Sequence, residues 1–274
     1  MDTNENSAIS SITPVAMTAY ISFSVIFFIV CLFNDWSVLQ YLLMFLVFTF
    51  IIQFGINLWA SQTVCPDPTG KGNLAIGKAL SLTFVPWMFI LVLISFLLYV
   101  MPGWVRVFSN TIGLAVVRSV YADLFKNHND VTGAETGTAD RPVNVTDNVQ
   151  VNVAIEPLDD SIDPKLLHDI YHDPSKLINE VEYLPDFKEW KANIFDRYLS
   201  QLPYFKDTYF MKYNTPDKLF TGEGVEKVPN KENPIYQLYK CVATKEKIGY
   251  FIWLFLSGAI FTLTSLSQIY ESNC

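Results

Sequence analysis

The side chains best placed to do chemistry in this sequence are His168 and His172, four positions apart and flanked by Asp169 and Asp173. On a helix that spacing puts two imidazoles on one face, where they could share a divalent metal. A zinc protease needs Glu directly after the first His; Asp169 stands there instead, and no third ligand follows at a recognisable spacing. The pair therefore reads as solvated or capping residues, and no residue is assigned a catalytic or metal-binding role. Pro68-Thr69-Gly70-Lys71-Gly72 has the glycines of a phosphate loop but lacks the Walker spacing and the Ser or Thr that must follow the Lys. No G-x-S-x-G turn occurs, and no cofactor is expected. The remaining constellation is Gln53 and Asn57, one helical turn apart within an apolar run. Neutral amides in such a place suit a hydrogen bond between helices, the alternative being the lining of a path in a small channel, transporter or auxiliary subunit.

Those amides have to be positioned by membrane helices. Ile21 to Phe33, Val38 to Leu58, Leu82 to Met101 and Ile248 to Leu266 contain no Asp, Glu, Lys or Arg. Runs approaching about 20 apolar residues cross hydrocarbon as helices, and this chain has too little other sequence to bury four of them in a soluble core. The expected fold is an α-helical polytopic membrane protein. It has four transmembrane helices, at about 17–34, 37–59, 81–101 and 248–270, plus an interfacial helix and a small, mainly helical extramembrane domain. The segment ahead of the first run carries Asp2 and Glu5 rather than a positive n-region, so that run reads as a retained span and 1–101 as an acidic tail with three spans. Pro14 suits a helix start, Asn34-Asp35 a tight turn, and Trp36 and Trp59 interfacial anchors of a helical hairpin. Ser257, Gly258 and Ala259 would permit close helix packing in the last span.

Basic residues orient this frame. Lys71 and Lys78 fall on the side of both termini, in a loop read as Ala60 to Ala79, whereas Arg106, Arg118, Lys126, Lys240, Lys245 and Lys247 flank spans three and four on the other. The positive-inside rule makes the long segment cytoplasmic, with Lys240, Lys245 and Lys247 at the membrane boundary. Cys65 and Cys274 then share the lumenal side and can form a disulfide, two unpaired thiols being the alternative, while Cys31 lies in a span and Cys241 faces the cytoplasm. The sequon Asn144-Val-Thr falls on the cytoplasmic side, where glycans are not added.

Within the long segment, 102–126 opens with a Pro102-Gly103 break. Trp104, Arg106, Phe108 and Arg118 are the membrane-interface residues of a surface-lying helix, a shallow re-entrant segment over 112–125 being the alternative. Residues 127–160 form a polar linker in which VNVTDNVQVNVAI could supply edge strands. Residues 161–247 form the aromatic-rich cytoplasmic domain, with Asp163-Pro164 and Asp173-Pro174 as helix starts. Pro185-Asp186 opens a helix with Phe187, Trp190, Ile194, Tyr198 and Leu202 on one face, and 235–247 reads as a helix feeding the fourth span. Trp190, Tyr204, Phe205, Tyr209 and Phe210 are the candidates for partner contact, although a small domain's own core is the commoner explanation of such aromatic density. Residues 102–247 carry 17 Lys and Arg against 22 Asp and Glu, a net of −5, which makes nucleic acid a poor partner.

Pro102-Gly103-Trp104 followed by Phe108-Ser109-Asn110-Thr111 and Gly113, directly after an apolar span, resembles a PGW…FSNTxG pattern in membrane proteins of nucleocytoplasmic large DNA viruses. The resemblance covers about a dozen residues and does not extend to the aromatic domain or the first hairpin. It implies a minor capsid or membrane-anchor protein of the virion's internal membrane, derived from host endoplasmic reticulum. Its partners would be membrane lipids and capsid or other membrane proteins.

Overall fold

The computed structural model of the chain describes residues 3–34, 36–64, 73–120, 124, 178–197, 199–201, 212–214, 220–221, 228–229 and 231–271. It forms two compact units, Met1–Gly113 with Glu246–Cys274, and Leu114–Lys245.

Four helical runs in the described residues are long and apolar enough to cross a membrane: Ile12–Phe33, Val38–Thr63, Ile76–Val100 and Pro234–Ile269. The chain is thus an α-helical integral membrane protein. Outward-facing side chains in the first unit include Ile26, Phe89, Phe96 and Ile260, a surface that lipid covers and water would not. Helix α1 (Thr3–Phe33) begins well ahead of Pro14, so the proline does not open it. A single proline deletes one backbone donor without ending a helix, and Thr18 Oγ1 donates back to Pro14 O at 2.7 Å. Helix α2 (Val38–Val64) starts with a reciprocal capping box. Ser37 Oγ accepts from Gln40 N at 3.3 Å, and Gln40 Oε1 accepts from Ser37 N at 3.0 Å. Asn34 Nδ2, in the bend between α1 and α2, donates to Val30 O at 2.7 Å and so occupies a carbonyl of the last turn of α1.

The third span is composite. Helix α3 (Asn73–Pro86) passes into a π turn at Trp87–Val92 and then into α4 (Leu93–Val100). Its earlier start places Lys78 inside the helix rather than in the preceding loop. A 3-10 turn over Pro102–Trp104 follows, and helix resumes through α5 (Arg106–Phe108), a π turn at Ser109–Gly113 and residues 114–120.

In the second unit, Asp186 caps α6 (Phe187–Trp190), its carboxylate accepting from Glu189 N at 2.9 Å. A π turn at Lys191–Phe195 and a 3-10 turn at Leu199–Gln201 continue it. The π turn inserts one residue into the helical period. Among the described residues the inward set is therefore Phe187, Trp190, Phe195 and Leu199, with Ile194 only partly buried; Tyr198 and Leu202 lie outside the described residues. Two short strands, Phe220–Thr221 and Val228–Pro229, pair antiparallel. Asn233 then starts helix α7 (Pro234–Glu271), its Oδ1 accepting from Ile235 N at 2.9 Å with Pro234 in the first turn. Helix α7 runs without a break for 38 residues, its first part in the second unit and the remainder in the first.

Candidate functional site

Five polar side chains of the membrane unit converge on one network. Gln53 and Asn57 lie one turn apart on α2, and Gln53 Nε2 donates to Asn57 Oδ1 at 2.9 Å. Asn57 Nδ2 donates to Thr83 Oγ1 on α3 at 2.7 Å and also to Ser265 Oγ on α7. Thr262 Oγ1, one turn before Ser265, donates to Gln53 Oε1 at 3.2 Å. The hydroxyls pass their own protons on, Thr83 to Ala79 O at 2.7 Å and Ser265 to Leu82 O at 2.9 Å. Each of these five side chains is at most 1 % exposed. Asn57 thus spends both amide protons on other helices and accepts at its oxygen, which is the arrangement that holds helices together where apolar attraction between them is absent. The sequence predicts the helix-to-helix role for Gln53 and Asn57; it does not identify Thr83, Thr262 and Ser265. The missed signal was Pro86, whose lack of an N–H requires that some other donor serve the carbonyl four residues back.

A second contact joins α1 to α7. Tyr20 Oη donates to the Leu254 and Phe255 carbonyls, at 3.0 and 2.9 Å. Its ring occupies the notch left by Gly258, where a Cβ would collide with the phenol. The close packing expected of Ser257-Gly258-Ala259 is thus used at Gly258. Lys247 Nζ donates to Cys31 O at 3.1 Å and Asn34 O at 2.9 Å, placing a cation on the C-terminal carbonyls of α1. Trp87 Nε1 reaches Leu46 O of α2 at 3.1 Å.

Tyr41, like Ser24, Thr49, Ser61 and Ser95, is an exception to this pairing among the described residues. Its ring packs on Phe27 and Tyr250, and Tyr41 Oη is buried with no partner among the described residues. An unpaired buried hydroxyl opposes folding, so Tyr41→Phe is expected to raise stability by about 1–2 kcal/mol, seen as a higher thermal midpoint in detergent. A lower midpoint would mean that the hydroxyl has a partner.

The interface candidates are placed as follows. Trp104 is partly exposed and stacks on Trp253 at 6.0 Å, whose Nε1 donates to Trp104 O at 2.9 Å; Phe108 meets the same indole edge-on at 5.1 Å. Arg106 and Arg118 are exposed. Val105, Ser109 and Gly113 turn inward, and Val105 and Ser109 pack so closely on Gly249 that a Cβ there would lie 2.8 Å from each. Ser109 and Gly113 of the FSNTxG run are therefore packing residues, a role the sequence reading did not give them. In the second unit Val117 and Leu124 join the core, so a segment expected to lie on a membrane surface has one face taken up by protein.

Trp190 is fully buried, its Nε1 donating to Glu182 O at 3.0 Å, so it is a core residue and not a contact surface. Tyr239 packs on Phe187 and Trp190 and donates to Pro185 O at 2.6 Å. Lys245 is likewise buried in protein, with Nζ donating to Ile178 O at 2.9 Å and Asn179 O at 3.4 Å. Cys31 and Cys241 are buried free thiols, so the Cys241 side chain does not face solvent. Tyr204, Phe205, Tyr209 and Phe210, the Cys65 and Cys274 pair, His168 and His172, and the strands and helix starts expected over 127–177 all lie outside the described residues.

Fold and site together define a multi-pass helical membrane protein whose embedded polar groups tie helix to helix. No family model, no curated protein and no solved structure matches the chain.

Proposed function

We propose that this chain is a structural membrane anchor: a multi-pass protein of the internal membrane of a large DNA virus particle, linking that membrane to capsid protein through its 102–247 segment. The observation that carries the anchor reading is α7. The same unbroken helix supplies Ile235, Leu238, Tyr239 and Val242 to the core of the second unit, and Leu254, Phe261 and Leu266 to the cores of the first. Its 38 residues measure about 57 Å, against about 30 Å of hydrocarbon, so the helix is longer than a span alone requires. The mutual pairing of Gln53, Asn57, Thr83, Thr262 and Ser265 supports holding rather than transport.

The viral setting, the endoplasmic-reticulum origin of the membrane and the capsid partner rest on the PGW…FSNTxG resemblance, and the cytoplasmic placement of 102–247 rests on the basic-residue asymmetry. In this reading Trp104, Arg106, Phe108 and Arg118 lie at the headgroup level, 127–160 is a linker and 161–247 the partner-binding domain. Crosslinking mass spectrometry on the native assembly tests it. Links from Lys188, Lys206 or Lys212 to a capsid protein are expected, whereas links only to transport or lipid-synthesis proteins would refute the anchor.

A further inference from the structure

Pro86 sits in the last turn of α3, inside the third span. Having no N–H, it cannot serve Leu82 O, the carbonyl four residues earlier. That carbonyl is instead served from another helix, by Ser265 Oγ of α7 at 2.9 Å. Directly after Pro86 the helix widens into the Trp87–Val92 π turn before α4 resumes. A proline and a π turn are two of the few features that bend a helix sharply. Both flanks of this segment are held from outside. Asn57 of α2 donates to Thr83 at 2.7 Å and to Ser265 itself, and Trp87 Nε1 donates to Leu46 O, also on α2, at 3.1 Å.

We propose that residues 82–92 form a joint within the third span and that Ser265, held in place by Asn57, is its latch. The last helix supplies the hydrogen bond that Pro86 denies to Leu82, and so fixes the angle between α3 and α4. A shift of α7 by one helical turn, or a rotation that carries Ser265 away, removes that donor and releases the joint. The inference stands independently of the viral reading, because it uses only contacts within the membrane unit.

A double-mutant cycle on the full-length chain in lipid-detergent micelles tests it, using Ser265→Ala, Pro86→Ala and the pair. In the wild-type background Ser265→Ala is expected to weaken the unfolding equilibrium about threefold to twentyfold, the span of one interhelical hydrogen bond in a membrane. In the Pro86→Ala background the N–H of the new alanine occupies Leu82 O, and the fold-loss caused by Ser265→Ala is expected to shrink by at least about twofold. Loss of the Asn57 acceptor is common to both arms and cancels in this comparison. A smaller shrinkage overturns the latch. Should Pro86→Ala fail to fold, spin labels at the exposed positions Leu80 and Phe96 report the joint directly. Ser265→Ala is then expected to broaden their distance distribution while Ser265→Thr, which keeps the hydroxyl, leaves it narrow; equal widths overturn the proposal.

Discussion

Asn57→Leu is expected to cost about 2–4 kcal/mol of stability, measured by unfolding the purified protein in mixed SDS and mild-detergent micelles. Asn57 is fully buried and makes hydrogen bonds to Gln53, Thr83 and Ser265, each in the range of about 0.6–1.7 kcal/mol inside a membrane. The loss is unevenly distributed. Thr83 and Ser265 keep their donations to Ala79 O and Leu82 O, so their hydroxyls are not stranded. Gln53 Nε2 loses the acceptor it has in Asn57, and that orphaned donor supplies the larger share of the penalty. Leucine matches asparagine in branching and in number of heavy atoms, and suits the surroundings, which removes cavity formation as a rival cause. A cost under about 0.5 kcal/mol would show that apolar packing alone holds these helices and would sink the structural account of the network.

Gly258→Val is expected to be more damaging still, with a loss above about 3 kcal/mol or failure to recover folded protein from detergent extracts. Tyr20 is buried, and its ring fills the space a side chain at position 258 would need. Displacing the phenol removes its bonds to the Leu254 and Phe255 carbonyls together with its stacking on Phe255 at 6.0 Å. Overpacking, a lost polar anchor and lost ring contact act in the same direction. Pairing the change with Tyr20→Leu, which empties the notch, should recover part of the loss in thermal midpoint. If Gly258→Val alone leaves that midpoint unchanged, α1 does not seat there.

How far the sequence could be read follows from which forces act locally. The spans are local composition, and their apolar runs locate all four helices. Their ends were misplaced because capping and proline geometry decide ends: the chain stays helical through Pro14, and α3 begins at Asn73. Gln53 and Asn57 stood out because amides are rare in such runs. Their hydroxyl partners did not, since Ser and Thr in spans ordinarily bond their own helix, as Thr63 does to Trp59 O and Ser257 to Trp253 O. Only the three-dimensional meeting of α2, α3 and α7 separates Thr83 and Ser265 from those residues. Phe187 and Trp190 follow the helical period read from the sequence, but Phe195 and Leu199 do not, because a π turn shifts the helical phase by one residue and no residue type announces it. Trp190 illustrates the ambiguity of aromatic residues, which serve cores and interfaces equally well. Lys245 shows that a basic residue near a span need not be solvated when backbone carbonyls lie within reach of its ammonium.

The inward stripe of α7 in the membrane unit, running through Leu254, Gly258, Phe261, Thr262, Ser265 and Ile269, carries a consequence for how this gene can change. One residue inserted between Gly258 and Phe261 would leave the span's hydropathy, composition and capacity to cross a bilayer intact. It would also turn everything downstream by about 100°, so that Thr262 and Ser265 would point away from Gln53 and Asn57 while Tyr20 kept its notch. Point substitutions along the outward face of this span are mild by comparison. Insertions and deletions are the severe class of mutation here, although every hydropathy measure would score them as silent.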